Sequence, residues 1–233
     1  MQLREILERH LAALGPGALL PSERVLAERL GVARMTVRQE LGRLVADGLV
    51  TRRHGQGTFV AEPKLVQSDH IRSFSEEMRA RGKRPGSRIL SVGIQEADPL
   101  VVSRLGLPAG AQVVQLVRVR TGDGEPIALE RANLPADRFP GLAEADFTQI
   151  SLYELIERRW NVRLHRAEQR ISAVLPDPDD ARLLETSPAL PAFLIERVTR
   201  DAEDGVIEYG RSLYRGDRYE VVMNVRRMPE ERS

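Results

Sequence analysis

Residues 20–59 constrain the fold of this chain more than any other stretch. Ser22, after a proline, is a typical helix N-cap, and an apolar stripe at helical spacing follows it. Gly31 ends this helix, because glycine adopts the left-handed C-cap conformation at little cost. A second helix is predicted from about residue 33 to residue 47. Two helices joined by a short turn are typical of a DNA-reading helix-turn-helix.

The second helix has an apolar and a polar face. The side chains predicted to point inward are Val37, Leu41, Leu44 and Val45, and the opposite face carries Arg34, Thr36, Arg38 and Gln39. Two short alternating segments then flank residues 54–57, which predicts a β-hairpin. This hairpin would be the wing of a winged helix, and its glycines would let the backbone come close to the minor groove of DNA.

The segments PSERVLAERLGVARMTVRQEL and GLVTRRHGQGTFV resemble the winged helix-turn-helix of the GntR family of bacterial transcription regulators. The resemblance implies DNA contacts at Arg24, Arg34, Thr36, Arg38, His54 and Gly55. Arg53 and Gly57 are added as candidates because they lie in the predicted wing. Arg34 and Arg38 lie four residues apart and so share a helix face, from which arginine can read guanine with two hydrogen bonds. Ala33 stands where the family often has Ser or Thr, so one N-cap or phosphate-binding hydroxyl is expected to be missing.

Two alternatives for this region stay open at the level of sequence. Arg24 can form an ion pair with Glu28 at i+4. A helix-turn-helix can also serve protein contacts. The charge distribution gives weak support to DNA binding by this region. Residues 1–64 hold 10 Lys/Arg and 7 Asp/Glu, a net charge of +3, and the remainder of the chain has a net charge of −2.

Composition excludes several classes of protein. The chain has 233 residues, enough for two modest domains, and 42% of them are hydrophobic. It has no cysteine, which excludes a disulfide framework and a thiolate zinc site. The four histidines are scattered, so no metal site and no cofactor is predicted. No apolar run approaches a membrane span and the N-terminus has no apolar signal block, so the protein is predicted to be cytoplasmic and to bind no membrane.

The chain divides into a DNA-binding domain over residues 1–62, a linker over 63–70 and a second domain over 71–233. The second domain alternates short helices with strands. The predicted helices are 71–81, 99–105, 151–160 and 178–184, and the predicted strands are 88–93, 111–121, 125–134, 166–175, 192–201, 205–214 and 219–226. Uneven spacing of these elements favours an α+β fold with a largely antiparallel sheet.

Four phrases of the second domain resemble the UTRA ligand-binding domain of the HutC branch of GntR regulators, which is related in fold to chorismate lyase. They are SFSEEMRARGKRPGSRIL, VVQLVRVRTGDGEPIALERANLP, SLYELIERRWNV and EYGRSLYRGDRYEV. Within the branch they are most similar to the NagR/DasR-like regulators of N-acetylglucosamine use. This resemblance implies that the effector is glucosamine 6-phosphate or N-acetylglucosamine 6-phosphate.

The residues themselves indicate an anion site. Gly86, Ser87 and Arg88 offer N–H groups, a hydroxyl and a guanidinium at a turn, and Arg118 and Arg120 leave one face of a strand. Ser151 lies at a helix N-terminus, which favours a phosphate. The resemblance implies phosphate contacts at these positions. It also implies that Glu130, Tyr153, Glu208 and Tyr214 lie near the sugar.

Structural alternatives stay open for each of these residues. Arg118 and Arg120 can form cross-strand ion pairs with Glu130 or Glu208 on a solvated sheet face. Ser151 can be a plain N-cap. Tyr153 and Tyr214 can be core aromatics with satisfied hydroxyls.

The sequence therefore predicts a homodimeric repressor that binds a palindromic operator in double-stranded DNA and responds to a sugar phosphate. An alternative is the same kind of regulator answering another sugar phosphate or a carboxylate metabolite. A chorismate lyase-type enzyme is a third reading. No catalytic motif is present and no catalytic residue is predicted, so a binding site is favoured over an active site.

Overall fold

The computed structural model describes residues 3–53, 56–61, 65–66, 71–148 and 150–221. Its backbone forms two compact units, Met1–Lys64 and Leu65–Ser233. The first unit contains α1 (Leu3–Leu14), α2 (Glu23–Leu30), α3 (Arg34–Ala46), β1 (Val50–Arg53) and β2 (Gly57–Val60). Strands β1 and β2 pair antiparallel. The helix-turn-helix and the hairpin after it are thus present as predicted, while the tip residues His54 and Gly55 lie outside the described residues.

The helix ends in the first unit follow from single residues. The Ser22 hydroxyl accepts a hydrogen bond from Val25 N, and Gly31 closes α2 in the left-handed conformation with φ 64°. Helix α3 begins after Ala33 and has no side-chain cap, as its sequence predicts. A core of aliphatic side chains joins the three helices to the hairpin; its most buried members are Leu7, Leu26, Val37, Leu41, Leu44 and Val50.

The predicted burial of Val45 is wrong. Its side chain was expected to point inward, but it is 37% exposed. Its neighbour Leu44 is fully buried. Consecutive positions of a helix point about 100° apart, so α3 buries the face that contains Leu44 and turns Val45 to its edge.

The second unit is α+β with a largely antiparallel sheet, as predicted. The main sheet has the order β4-β5-β6-β9-β8-β7, and all of its neighbouring strands run antiparallel. The strands are β4 (Pro85–Glu96), β5 (Gln112–Gly122), β6 (Glu125–Pro135), β7 (Arg166–Val174), β8 (Ala192–Arg200) and β9 (Val206–Arg215). The helices are α4 (Phe74–Ala80), α5 (Pro99–Leu105), α6 (Leu152–Trp160) and α7 (Pro178–Leu183).

Apolar clusters cover both faces of this sheet. On one face α6 packs with Phe139 over β5 and β6, and Phe74 and Met78 of α4 pack near Ile195 of β8. On the other face α5 and α7 cover different ends of the strands. The first face is the one that holds the polar residues of interest, in the space between α4 and α6.

A short parallel pair completes the second unit. Strand β3 (Leu65–Val66) pairs with β10 (Tyr219–Glu220), with Leu65 opposite Tyr219 and Val66 opposite Glu220. Strand β3 falls in the segment expected to be an irregular linker. The continuation of the last predicted strand beyond residue 221 lies outside the described residues.

Candidate effector and DNA-binding sites

A cleft on the α4/α6 face of the main sheet gathers most of the predicted effector residues. It is lined by Arg118, Arg120, Glu130, Ser151, Tyr153, Glu208 and Tyr214, all of which the sequence had singled out. Strands β5, β6 and β9 contribute the arginines, Glu130, Glu208 and Tyr214, and the start of α6 contributes Ser151 and Tyr153. Residues separated by up to about a hundred positions in the chain therefore meet in one place.

Arg118 is nearly inaccessible and bound to a carboxylate. Only 3% of the residue is exposed, and its Nε and Nη2 donate to Glu130 Oε1 at 2.9 and 2.6 Å. The remaining Nη1 is buried and has no hydrogen-bond partner in the described part of the chain. A buried N–H group without a partner costs free energy, so this atom favours an acceptor arriving from outside.

Arg120 is held from three sides. Its Nη1 donates to the Ser87 hydroxyl and its Nη2 donates to Ser75 Oγ at 2.9 Å, while its guanidinium carbon lies 4.4 Å from the centre of the Phe74 ring. Its Nε is buried without a hydrogen-bond partner among the described residues. Burial and the neighbouring Arg118 lower its pKa to about 10, so two cations crowd one place. An anion would relieve this repulsion.

Glu130 compensates only part of that charge. Its Oε2 lies 3.8 Å from Arg120 Nε in addition to the bonds from Arg118. Burial acts to raise the pKa of Glu130, but the two arginines outweigh it and the pKa is lowered. The cross-strand ion pair that the sequence left open is therefore present. The face that carries it is buried, however, and not solvated.

Glu208 and Tyr153 form the opposite wall. The Tyr153 hydroxyl donates to Glu208 Oε2 at 2.6 Å, and Glu208 is only 5% exposed. Burial, together with the nearby Glu130 carboxylate, raises the pKa of Glu208 to about 7. Burial and the same Glu208 carboxylate raise the pKa of Tyr153. This wall therefore offers a hydroxyl and a carboxyl group as hydrogen-bond donors and acceptors.

Gly86 and Arg88 do not reach the cleft. In β4 the side chains alternate, so Ser87, which is opposite Arg120, points to the cleft face and Arg88 points to the other. Arg88 is exposed and donates from Nη2 to the Leu183 carbonyl at 3.0 Å. A Cβ on Gly86 would lie 2.4 Å from Thr121 Oγ1, which explains the glycine by packing. Assigning Arg88 to the anion site was wrong.

Ser151 lies at the start of α6 without capping it. It occupies the N-cap position of α6 but makes no side-chain capping hydrogen bond, so the plain N-cap considered as an alternative is not formed. The residue is 3% exposed and lines the cleft.

Sequence reasoning missed several cleft residues. They are Arg72, Ser73, Phe74 and Glu77 at or beside the start of α4, Ile195 and Arg197 of β8, and Gly210 and Ser212 of β9. Arg197 donates from Nε to Gln169 Oε1 at 2.8 Å and has no carboxylate within 4.0 Å among the residues described. Nothing in the sequence around Arg197 separates it from the other arginines of the strands, whereas the serine-rich start of α4 was visible.

The DNA-binding candidates lie on the exposed side of the first unit. Arg34 and Arg24 have 68% and 69% of their side chains exposed, and Thr36 and Arg38 are exposed as well. Arg24 Nη1 lies 2.6 Å from Glu28 Oε1, so the ion pair considered as an alternative is formed. Gly57 begins β2 with φ 122°. The side chain of Arg53 and all of His54 and Gly55 lie outside the described residues.

Two further features of this surface were not predicted. Met35 is 60% exposed at the start of α3, although its side chain is apolar. Glu23 of α2 lies between two arginines, 3.5 Å from Arg34 Nε and 3.7 Å from Arg52 Nη2. Glu23 therefore forms ion pairs with both α3 and β1.

A winged helix-turn-helix joined to a separate unit with a buried, charged cleft defines a ligand-responsive transcription regulator. A model of bacterial regulatory proteins of the gntR family matches residues 2–60, and a model of the UTRA domain matches residues 80–220. The chain belongs to the GntR family and carries a UTRA domain, which places it with the HutC-type regulators and not with enzymes.

Similar proteins agree with this assignment. The HTH-type transcriptional repressor PhnF of Mycolicibacterium smegmatis is 42% identical over 216 residues, which cover 93% of this chain and 88% of that protein. The HTH-type transcriptional repressor NagR of Bacillus subtilis is 37% identical over 210 residues, 90% of this chain and 86% of that protein. The crystal structure of PhnF from Mycobacterium smegmatis superposes with a TM-score of 0.68 at 40% identity and covers 97% of this chain and 100% of that one.

Two other observations complete the site description. No helix in the described ranges is long and apolar enough to cross a membrane. Within the same ranges, no group of three or more His, Asp or Glu side chains is placed to hold a metal ion.

Proposed function

We propose that this chain is a homodimeric, cytoplasmic transcriptional repressor whose operator binding is controlled by glucosamine 6-phosphate or N-acetylglucosamine 6-phosphate. The observation that carries the proposal is the pair of buried arginines Arg118 and Arg120, each with one N–H group that has no hydrogen-bond partner among the described residues. The names of two relatives, both transcriptional repressors, support the sign of the regulation.

The phosphate would bind at the arginine end of the cleft. Arg118 Nη1 and Arg120 Nε would donate to its oxygens, Ser151 of the cleft lining would add a hydroxyl donor, and Ser87, which accepts from Arg120, would add a second. Charge-assisted hydrogen bonds of this kind contribute about 1.5–3 kcal/mol each. The sugar would face Glu130, Tyr153, Glu208 and Tyr214, whose carboxylates and hydroxyls suit its hydroxyl and amino groups.

Calorimetry with glucosamine 6-phosphate and glucosamine tests the effector. In the wild type the phosphorylated sugar should bind far more tightly, and Arg118→Ala should weaken its binding by about ten- to a hundredfold. The same variant should bind operator as the wild type does without ligand. Arg88→Ala is the matched control, because Arg88 lies on the opposite face of the sheet. Equal affinity of the wild type for both sugars would contradict the phosphate assignment.

Other anions are separate arms of the same titration. Two buried arginines favour an anion without selecting one kind of anion. Another sugar phosphate, a carboxylate metabolite and inorganic phosphate therefore belong in the panel.

The operator would be read by α3 of each subunit. Arg34 and Arg38 would contact base edges in the major groove, Thr36 and Arg24 would contact phosphates, and the wing residues Arg53, His54, Gly55 and Gly57 would approach the minor groove. A dimer with one reading helix per subunit favours a two-fold operator with half-sites one helical turn or more apart.

Gel-shift titrations on operator and scrambled DNA test this assignment. Arg34→Ala should relax base preference at a cost of about 1–3 kcal/mol on the operator alone, whereas Thr36→Val should weaken all sequences by a similar factor. Arg43→Ala, an exposed arginine near the end of α3 that pairs with Glu40, is the control. If Arg34→Ala leaves affinity and specificity on the operator unchanged, α3 is not the reading helix.

A further inference from the structure

A groove between α1 and α2 lies on the DNA-binding unit, away from the residues assigned to DNA. Its apolar lining residues are Ile6, Leu7, Ala13, Leu26 and Leu30. They recur at helical spacing, so each helix turns one face to the groove. The groove has a volume of about 400 Å³, within the range of about 300–1,000 Å³ that small-molecule sites occupy. Its size is therefore that of a ligand site.

The floor of the groove belongs to the folded core. Leu7 and Leu26 are almost fully buried members of the aliphatic core of the first unit. Ile6 and Leu30 are only partly buried, and Ala13 is exposed. An apolar molecule in the groove would therefore remove apolar surface from water against a wall that is already formed.

The polar residues that line the groove carry charge of one sign only. They are Arg9, His10 and Arg29, and no carboxylate lines the groove among the described residues. Both arginines are exposed, so their guanidinium groups can reach a ligand at the mouth of the groove. Two cationic groups without an acidic neighbour in the lining attract an anion.

The two carboxylates that precede the lining arginines in the sequence pair with other side chains. Glu8 Oε1 lies 2.8 Å from Arg4 Nε, and Glu28 Oε1 lies 2.6 Å from Arg24 Nη1. Arg29 has no carboxylate within 4.0 Å in the described part of the chain. An acidic group that approaches Arg29 from outside therefore has no competitor among these residues.

His10 adds a polar atom without a partner. Its Nε2 is buried and accepts or donates no hydrogen bond among the described residues, and the residue lines the groove. Such an atom costs free energy, so a ligand group that forms a hydrogen bond with it is favoured. An imidazole N–H can donate to a carboxylate oxygen.

We propose that the α1–α2 groove is a second ligand site, which binds a small amphipathic carboxylate. The apolar body of the ligand lies over the aliphatic lining, and its carboxylate is held by Arg9, His10 and Arg29. A sugar phosphate does not suit this lining, because its hydroxyl groups would lose water against apolar side chains without gaining hydrogen bonds. The inference is therefore independent of the function proposed for the effector cleft.

Calorimetry on the full-length protein with octanoate as the probe tests the class of ligand. Affinity should rise from butanoate through hexanoate to octanoate by up to about fourfold per methylene group, because each buried methylene leaves water. Octylammonium, with the same tail and the opposite charge, should bind at least about tenfold more weakly. Affinity that does not depend on chain length or on the sign of the charge would overturn the proposal, as would the absence of saturable octanoate binding.

Two adjacent alanines supply a variant and its matched control. Ala13 lines the groove, whereas Ala12, which is also exposed, does not. Ala13→Phe fills the groove and should abolish octanoate binding, and Ala12→Phe should bind as the wild type does. Arg29→Ala should weaken binding by about two- to fivefold, because an exposed ion pair contributes little. Equal octanoate affinity in the two phenylalanine variants would overturn the proposal, and circular dichroism shows whether both are folded.

NMR of the histidine-labelled protein places the ligand without a groove variant. The chain has four histidines, and octanoate should shift the imidazole signal of His10, which is identified by its loss in His10→Asn. Arg118→Ala, in the effector cleft, should bind octanoate as the wild type does. A shift confined to other histidines, or loss of binding in Arg118→Ala, would overturn the groove site.

The same variants distinguish a ligand site from a contact between two copies of the chain. If the wild type does not bind octanoate and Ala13→Phe lowers the sedimentation coefficient relative to Ala12→Phe, the groove is covered by a second copy and the proposed ligand site is overturned. Saturable binding of octanoate to the wild type, lost in Ala13→Phe at an unchanged sedimentation coefficient, supports it.

Discussion

Glu208 shows how one buried carboxyl can make both stability and ligand binding depend on pH. Its pKa in the folded chain is about 7 because it is buried beside Glu130, whereas an unfolded glutamate titrates near pH 4.3. The folded state therefore holds this proton more tightly. Its contribution to the free energy of unfolding is fully present below about pH 4 and is lost as the pH rises to about 7.

Glu208→Gln tests this linkage. The amide keeps the size of the side chain and an acceptor for Tyr153 but cannot ionise. The wild type should lose stability between pH 5 and pH 8 as Glu208 ionises, and the variant should not. The free energy of unfolding of the variant minus that of the wild type should therefore increase by about 2 kcal/mol over this range. Urea unfolding at the two pH values measures the difference, and Glu168→Gln on the exposed side of β7 is the control. Parallel pH profiles for wild type and Glu208→Gln would contradict the assigned cause.

At the scale of the residue, the sequence predicted which kinds of side chain form the site better than it predicted which face of the sheet each side chain occupies. The alternation of Arg118 and Arg120 predicted a shared face, and both line the cleft. Arg88 was misplaced because its neighbourhood read as a turn, whereas β4 already begins at Pro85 and alternation sends Arg88 to the other face. Arg197 was missed because its place in the cleft depends on β8 pairing with β9, which no local pattern encodes.

At the scale of the element, α3 lacks the hydrogen bond that usually opens a helix. Ala33 has the backbone geometry of an N-cap, φ −63° and ψ 142°, without a side chain to accept from α3. Ala33→Ser should therefore stabilise the first unit by about 1 kcal/mol, and Ala33→Val should not. Urea unfolding followed by circular dichroism measures the change. A gain with valine as large as with serine would mean that the effect is not capping.

The turn between β9 and β10 gives a second prediction for an element. A Cβ on Gly216 would lie 2.3 Å from the carbonyl oxygen of Pro191, a backbone atom that cannot rotate away. Gly216→Ala should therefore lower the free energy of unfolding by about 1–3 kcal/mol. In Gly93→Ala of β4 the added methyl meets no atom within 4 Å, so this variant should stay within about 0.5 kcal/mol of the wild type. Equal losses in both variants would show that the contact with the Pro191 carbonyl is not responsible.

The first and last residues of a helix or strand were predictable where capping residues, turn glycines or side-chain alternation mark them in the sequence. Helix α5 begins after Asp98, whose carboxylate caps it, and ends at Gly106, and its predicted and observed bounds coincide. The strands of the main sheet agree with their predicted ranges to within a few residues because alternation and turn glycines mark them. Strand β10 lies inside the last predicted strand, whereas β3 was not predictable, since a two-residue strand carries no periodicity and its partner lies at the opposite end of the second unit.

At the scale of the whole molecule, a two-fold operator requires two reading helices in fixed spacing. The winged helix supplies one of them, so we predict that the second unit supplies the dimer contact. Residues 65–233 alone should sediment as a dimer, and residues 1–64 alone as a monomer. Analytical ultracentrifugation at several concentrations measures both. A monomeric second unit together with a dimeric full chain would move the contact to the first unit.

Helix α6 also supplies an optical reporter. Its first turn, with Tyr153, lies in the cleft, and its last residue is Trp160, the single tryptophan of the chain. The indole packs edge-on against Phe139 at 5.6 Å and under the Arg159 guanidinium at 4.9 Å, contacts that set its emission. A rigid helix of this length carries a shift at one end about 12 Å to the other. We therefore expect ligand binding in the cleft to change the intrinsic fluorescence of Trp160, which needs no label and is not mixed with emission from a second tryptophan.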